Sequence, residues 1–235
     1  PFTAGGTIGA ISGSPAVDYA TQRVYFASRS FSGGPTLWCV QVATTPLFAS
    51  CSGWTNRNLG DIDGSPVLRN GRVYVGNNAG TVYSLSAATG LDDRTFTTGD
   101  GGVKGFLFPD RRNDDLMFAT STKVWSISDS GAATMPKNWE WTLGGLSPSV
   151  ILYWPQTDLV YVGSGNGALY ELDFSLANTS TPPIPKSVVL GDGLGQLGAP
   201  SLDIGVEPPA VSAGKKLLVV GSESGVLYGV EVPLP

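Results

Sequence analysis

Apolar and polar residues alternate with a period of two through most of this chain, in short runs broken by glycine-rich turns. That spacing places successive side chains on opposite faces of a strand and excludes a helical solenoid. One phrase recurs five times: an apolar strand ending in a small residue, a tight polar turn, and a second strand built around an aromatic. It reads Val73-Tyr74-Val75-Gly76 then Thr81-Val82-Tyr83-Ser84-Leu85, and Val160-Tyr161-Val162-Gly163 then Ala168-Leu169-Tyr170-Glu171-Leu172. Leu218 to Gly221 leads to Val226-Leu227-Tyr228, while Val24 to Ala27 and Met117 to Ala119 lead to strands containing Trp38 and Trp125.

The copies begin at Val24, Val73, Met117, Val160 and Leu218, in steps of 49, 44, 43 and 58 residues. This is the period of a four-stranded propeller blade, with an insertion around Glu207-Pro208-Pro209 lengthening the last step. Upstream of the phrase, Ser14-Pro15, Ser65-Pro66, Ser147-Pro148 and Ala199-Pro200 announce an inner strand, proline being tolerated at a strand start. In the third copy Lys104-Gly105-Phe106-Leu107 stands there instead. An outer strand is expected at Gly53-Trp54-Thr55, Thr95 to Thr98, Trp139 to Thr142 and Ser187 to Leu190.

The fifth copy has no outer strand of its own, but Pro1-Phe2-Thr3-Ala4-Gly5-Gly6 resembles Thr95-Phe96-Thr97-Thr98-Gly99-Asp100. The expected fold is therefore all-β: a single five-bladed propeller over residues 1–235, four antiparallel strands per blade. Its blades fall near 10–55, 62–98, 102–142, 146–190 and 197–235, the last completed by 1–6 so that the ring closes without exposed sheet edges.

Composition agrees: 32 glycines and 17 prolines suit many tight turns, and 41% hydrophobic against 14% charged residues argues against disorder. A formal charge of −5 repels phosphate backbones, so nucleic acid is not an expected partner. No stretch is long and apolar enough to span a membrane, and no signal peptide is visible at Pro1. Because Pro1 is not an initiator methionine, the chain is expected to be a processed or excised piece, in the limit part of a longer polypeptide.

Cys39 and Cys51 are the only cysteines, and they fall on adjacent antiparallel strands. A disulfide is expected, with two free buried thiols the alternative. Closing so short a loop contributes about 3 kcal/mol in the chain-entropy treatment. A disulfide implies an oxidising compartment: periplasm, cell surface or medium.

The stretch Ser65-Pro66 through Arg72-Val73-Tyr74-Val75-Gly76-Asn77-Asn78-Ala79-Gly80-Thr81-Val82-Tyr83 to Thr89-Gly90 resembles the repeat of the PQQ-like, quinoprotein-type β-propeller superfamily. The resemblance implies the fold. It does not by itself imply quinone chemistry, since the same repeat serves alcohol dehydrogenases, an outer-membrane assembly lipoprotein and secreted domains that bind no quinone. The enzymes usually have eight blades, a vicinal Cys-Cys pair, and a calcium site beside a catalytic aspartate. Here five blades are expected, Cys39 and Cys51 are not adjacent, and no residue matches the catalytic positions. No catalytic residue is carried over, and PQQ is not an expected cofactor.

The absence of histidine excludes Ser-His-Asp chemistry, Cys-His nucleophiles and His-ligated zinc. What remains is carboxylates and amides in turns expected to converge on the channel mouth. Asp61, Asp63, Asp100 and Asp192 stand beside glycine there, and together could hold Ca²⁺ or bond a sugar; the competing reading is ordinary turn chemistry. The hairpins of the same face bring Arg29, Phe31, Asn77, Asn78, Asn166 and Glu223. Trp139, Trp141 and Trp154 break the aromatic period; Trp154, in a turn at the opposite face, is the better candidate for an exposed contact, with burial the favoured reading. The expected function is a non-catalytic secreted, periplasmic or cell-surface binding or scaffold propeller that recognises a protein or glycan through one face. The alternative is a quinoprotein-like oxidoreductase fragment, or a carboxylate-based glycan-active or calcium-dependent carbohydrate-binding propeller. Two carboxylates about 5–10 Å apart at the mouth would favour the alternative.

Overall fold

The computed structural model describes residues 2–42, 47–110, 114–148, 150–177, 179–203 and 215–235. Pro1, Ser149, the sequon residue Asn178 and the insertion at Glu207-Pro208-Pro209 lie outside the described residues. Among the described residues, apart from two single-turn 3-10 segments, all the regular structure is strand, and the strands form five antiparallel sheets, four of four strands and a fifth of three. Each sheet is a meander in which consecutive strands pair, as the repeated strand-turn-strand phrase requires. The chain divides into two compact units, residues 1–109 with 129–136, and residues 110–128 with 137–235.

In the first unit one sheet is formed by β1 (Ala16–Asp18), β2 (Arg23–Ala27), β3 (Leu37–Val42) and β4 (Phe48–Ser50). The next has β5 (Val67–Arg69), β6 (Arg72–Gly76), β7 (Thr81–Ser86) and β8 (Arg94–Thr97), and β9 is Phe108–Pro109. Asn70 and Gly71, at φ 47° and 72°, form a two-residue turn that pairs Arg69 with Arg72, the left-handed pair that matches strand twist in a tight hairpin.

The period-2 alternation now has a physical meaning. Tyr25 and Ala27 turn one face of their sheet toward Val73 and Val75 of the next, and Leu37, Cys39, Leu59, Ile62 and Leu85 complete one buried cluster. Full burial of each aliphatic side chain is worth roughly 1.5–3 kcal/mol. The outer edge of β8 does not stay open: Thr95 donates to the Ala133 carbonyl and accepts from the Met135 amide, each at 2.9 Å, so residues 129–136 shield that edge from unwanted pairing.

The second unit holds β10 (Asp115–Ala119), β11 (Lys123–Ser128) and β12 (Lys137–Thr142), then β13 (Ile151–Trp154), β14 (Leu159–Gly163), β15 (Ala168–Asp173) and β16 (Lys186–Val189). Its last sheet is β17 (Ser201–Asp203), β18 (Lys216–Gly221) and β19 (Leu227–Val232). Tyr161 and Leu169 pack with Leu218, Val220 and Val232 in the cluster that joins these last two sheets.

The small residue closing the first strand of the phrase is dictated by the neighbouring blade. A Cβ added to Gly76 would overlap the Cβ of Val103, and one added to Gly163 would lie 2.8 Å from the Cβ of Leu197. In each case an apolar residue from the segment leading into the next blade seats over the small one, as Ile62 is buried in the same cluster as Ala27.

Two expectations are corrected. The segment 2–6 is not strand: Ala4–Gly6 is a 3-10 turn, the Phe2 ring meets Phe26 edge-on at 6.5 Å, and the last sheet has three strands among the described residues. The Gly5-Gly6 pair, with Gly6 at φ 82°, favours a turn over a ladder, and Phe2 gains apolar contact on its own first sheet. The first outer strand is Phe48–Ser50 rather than Gly53–Thr55. Cys51 is tied beside Cys39, and Gly53 at φ 73° turns the chain so that Trp54 packs over Tyr25 at 5.1 Å. Trp154 ends β13 buried in the core, since its ring fills the space between the fourth and fifth sheets.

Candidate functional site

The turn residues that the sequence singles out lie at the ends of the strands, and the two units use them differently. In the first unit the turn before β5 and the two hairpin tips meet. Arg29 donates from Nε and Nη2 to the two carboxylate oxygens of Asp63 at 2.7 and 2.9 Å, and Asn78 donates to the same carboxylate at 2.9 Å. The Arg29 guanidinium beside it holds the Asp63 carboxyl below its ordinary range, with the Asn78 bond adding to the effect and partial burial opposing it. Asp61 accepts from the Ser30 amide at 2.7 Å, and its carbonyl takes the Asn78 amide at 2.8 Å.

Asn77, though buried, is fully engaged in building its own turn: Nδ2 donates to the Leu59 carbonyl at 2.7 Å while Oδ1 receives the amides of Ala79 and Thr81. Asp100 sits in a neighbouring turn in which its amide donates to Thr98 Oγ1 at 3.2 Å. Phe31 is half exposed beside them. Thus Arg29, Asp61, Asp63 and Asn78 come together as one another's partners, with only the buried Oδ1 of Asn78 left without one among the described residues. Among the described residues no group of three or more Cys, Asp or Glu side chains is gathered that could hold a metal ion.

In the second unit Asp192 caps its own turn, accepting the Leu194 amide at 3.0 Å. The remaining turn residues enclose a cleft of about 240 Å³ lined by Gly144, Gly145, Leu146, Asn166, Leu194, Gln196 and Glu223. It runs into a second hollow of about 400 Å³ bounded by Pro148, Gln196, Leu197, Ser222 and Glu223. The cleft exists because glycines let two chain segments approach closely: a Cβ on Gly145 would stand 2.9 Å from the Asn166 amide nitrogen, and one on Gly165 2.9 Å from that of Leu146. The Glu223 amide donates to the Gln196 carbonyl at 3.0 Å, which fixes both side chains at the rim.

The chemistry of this cleft is open where that of the first unit is closed. Asn166 spends Oδ1 on the Ala168 amide at 3.2 Å but keeps Nδ2. Among the described residues the Gln196 amide group and the Glu223 carboxylate have no hydrogen-bond partner. Leu146 and Leu194 flank them, 60% and 82% exposed. Sequence reading reached Asn166, Glu223 and the Gly144-Gly145 turn. It missed Gln196 and Leu194, which carry no periodic signal and become site residues only because the chain folds back there.

The disulfide joins Cys39 on β3 to Cys51 just after β4, with Cα atoms 5.5 Å apart, and both residues are buried. It closes the first blade's own strand pair. Cys39 and Cys51, 12 residues apart in sequence, are not a vicinal pair.

The fold and its repeats define a β-propeller repeat protein. More narrowly, its similarity is to PQQ-like propeller proteins. Over 124 residues it is 32% identical to the dehydrogenase subunit of the quinone alcohol dehydrogenase of Gluconobacter oxydans strain 621H, a match covering 48% of this chain and 14% of that protein. The corresponding subunit of Gluconacetobacter polyoxogenes is 33% identical over 120 residues, 48% of this chain and 15% of that protein. The chain therefore matches only a small part of those relatives' length. Among solved structures, the quinohemoprotein alcohol dehydrogenase of Comamonas testosteroni aligns with 96% of this chain and 42% of its own at a TM-score of 0.69 and 14% identity. BamB from Moraxella catarrhalis aligns with 93% of this chain and 57% of its own at 0.60 and 18% identity. At these identities the structural matches speak for the fold alone. No family model matches the chain.

Proposed function

We propose that this chain is a non-catalytic binding propeller of an oxidising compartment, periplasmic or extracellular, whose cleft in the second unit takes a segment of polypeptide. The observation that carries the reading is the free hydrogen-bonding capacity, among the described residues, of Asn166, Gln196 and Glu223 between two exposed leucines, whereas the first-unit turn carboxylates Asp61 and Asp63 are already engaged. An extended peptide offers alternating amides and apolar side chains, which such a cleft matches with amides, a carboxylate and leucines. Among the described residues no aromatic side chain lines it, so it offers no stacking face of the kind that commonly seats a sugar ring, and a glycan is the weaker candidate. The disulfide and the lack, among the described residues, of any helix able to cross a membrane are compatible with the compartment.

The sequence similarity to quinone alcohol dehydrogenase subunits supports a second reading, in which the chain contributes blades to an oxidoreductase. Selection from a displayed peptide library, set against a glycan array, separates the possibilities. Peptides should be enriched whose affinity falls about tenfold, close to 1.4 kcal/mol, in Gln196→Ala or Glu223→Ala. Glycan binding without peptide binding would reject the ligand class. Dye reduction with a primary alcohol after addition of PQQ and Ca²⁺ would reject the non-catalytic reading.

A further inference from the structure

The lining of the cleft between Asn166 and Glu223 belongs wholly to the second unit, and among the described residues Glu223 carries the one charge in it. No set of three metal-ligating side chains is gathered around that carboxylate among the described residues. The unit's own cations do not compensate it. Lys123, on the hairpin before β11, is engaged by Glu140 at 2.7 Å. Lys216 lies five residues before Gly221 along β18. That is roughly 16 Å of strand, more than the Debye length of about 10 Å at 0.1 M salt.

Gln196 and Glu223 form a pair. Leu197 bridges Ser222 in antiparallel register, with the Gly198 amide donating to the Gly221 carbonyl at 2.8 Å and the Glu223 amide to the Gln196 carbonyl at 3.0 Å. Gln196 therefore stands opposite Glu223, and strand alternation points both side chains to one face, their Cβ atoms about 5 Å apart. The first unit holds the same combination with a partner supplied by the chain: the Asp63 carboxylate receives Nε and Nη2 of Arg29 at 2.7 and 2.9 Å and the Asn78 side-chain amide at 2.9 Å. At Glu223 the carboxylate and the neighbouring amide recur, but among the described residues no arginine reaches them.

Given the peptide reading proposed above, we infer that the segment received by this cleft carries an arginine, whose guanidinium bonds the Glu223 carboxylate and the Gln196 amide oxygen. A planar fork makes two parallel bonds to a carboxylate, which an ammonium does not. The arginine stem and an apolar neighbour lie along the exposed Leu146 and Leu194, and Asn166 Nδ2 donates to a carbonyl of the bound backbone. Because Glu223 is exposed, this ion pair selects among peptides more than it holds them.

Fluorescence anisotropy on the full chain tests this with capped heptapeptide pools that differ only in a central arginine, lysine, glutamine or glutamate. At low salt the arginine pool should bind about five- to tenfold tighter than the glutamine pool, with glutamate weakest and the ratio shrinking as salt rises. Glu223→Gln should erase the arginine preference and leave the glutamine pool nearly unchanged, and Glu223→Arg should move the preference to the glutamate pool. The backbone bond from residue 223 to Gln196 survives both substitutions, with circular dichroism melting as the folding control. Lysine binding as tightly as arginine would overturn the guanidinium assignment. Pools that bind equally, or a preference that persists in Glu223→Gln, would overturn the inference and leave the peptide reading intact. Binding by none of the pools would overturn both.

Discussion

Asp129 offers the sharpest test of how the first unit is held together. Its carboxylate is buried and accepts from Tyr74 Oη, Ser84 Oγ and Arg94 Nη1, each at 2.8 Å, while Arg72 Nε lies 3.6 Å away. It thereby ties residues 129–136 onto the second sheet. Asp129→Ala would strip three donors of their shared acceptor and leave two guanidinium groups, with side chains 11% and 21% exposed, short of a counter-charge. Each bond to a charged acceptor is worth about 1.5–3 kcal/mol, but they share one carboxylate and do not add. Removing one partner of such a buried cluster costs about 3–5 kcal/mol, which at this chain size lowers Tm by about 10 °C. Asp92→Asn is the control: Asp92 also bonds Arg72, at 2.6 Å, but its side chain is 65% exposed, so less than about 1 kcal/mol is expected. Asparagine also tolerates the φ of 62° found there. Urea unfolding followed by tryptophan fluorescence gives both values. If Asp129→Ala stays within about 1 kcal/mol of the parent, or no worse than the control, the anchor argument fails.

The same residue predicts an acid limb. Burial by itself would raise the Asp129 carboxyl, but the donors from Arg94, Ser84 and Tyr74 outweigh it and hold it below its ordinary range. Its contribution should therefore be complete above the unfolded carboxyl value near 3.9 and vanish as pH falls through the lower folded value, so parent and Asp129→Asn unfolding curves should converge in acid. Reducing the Cys39–Cys51 bridge should cost about 3 kcal/mol in equilibrium unfolding, since it closes a short loop of sequence separation 12. Gly76→Val should destabilise by about 1–3 kcal/mol through overlap with Val103, and Gly221→Val, where nothing is met, by clearly less. Gln196→Ala and Glu223→Ala should leave Tm nearly unchanged because neither side chain has a partner among the described residues, so any loss of peptide binding reads the cleft and not the fold.

Sequence alone determined the repeating unit. Period-2 alternation in Val73-Tyr74-Val75-Gly76 and the spacing of Cys39 and Cys51 are local signals, each set by strand geometry within a few residues, and each appears in the structure as read. Tertiary structure decided what the ends do and which polar groups are free. Phe2 could pair as a strand or pack as an aromatic; the apolar face of its own first sheet and the turn at Gly6 decide for packing. Asp63 and Glu223 are equally plausible ligand groups in a linear reading, but Arg29 and Asn78 are brought to one and nothing is brought to the other. A side chain's hydrogen-bonding capacity is consumed by neighbours distant in sequence, and only the folded chain says which neighbours those are.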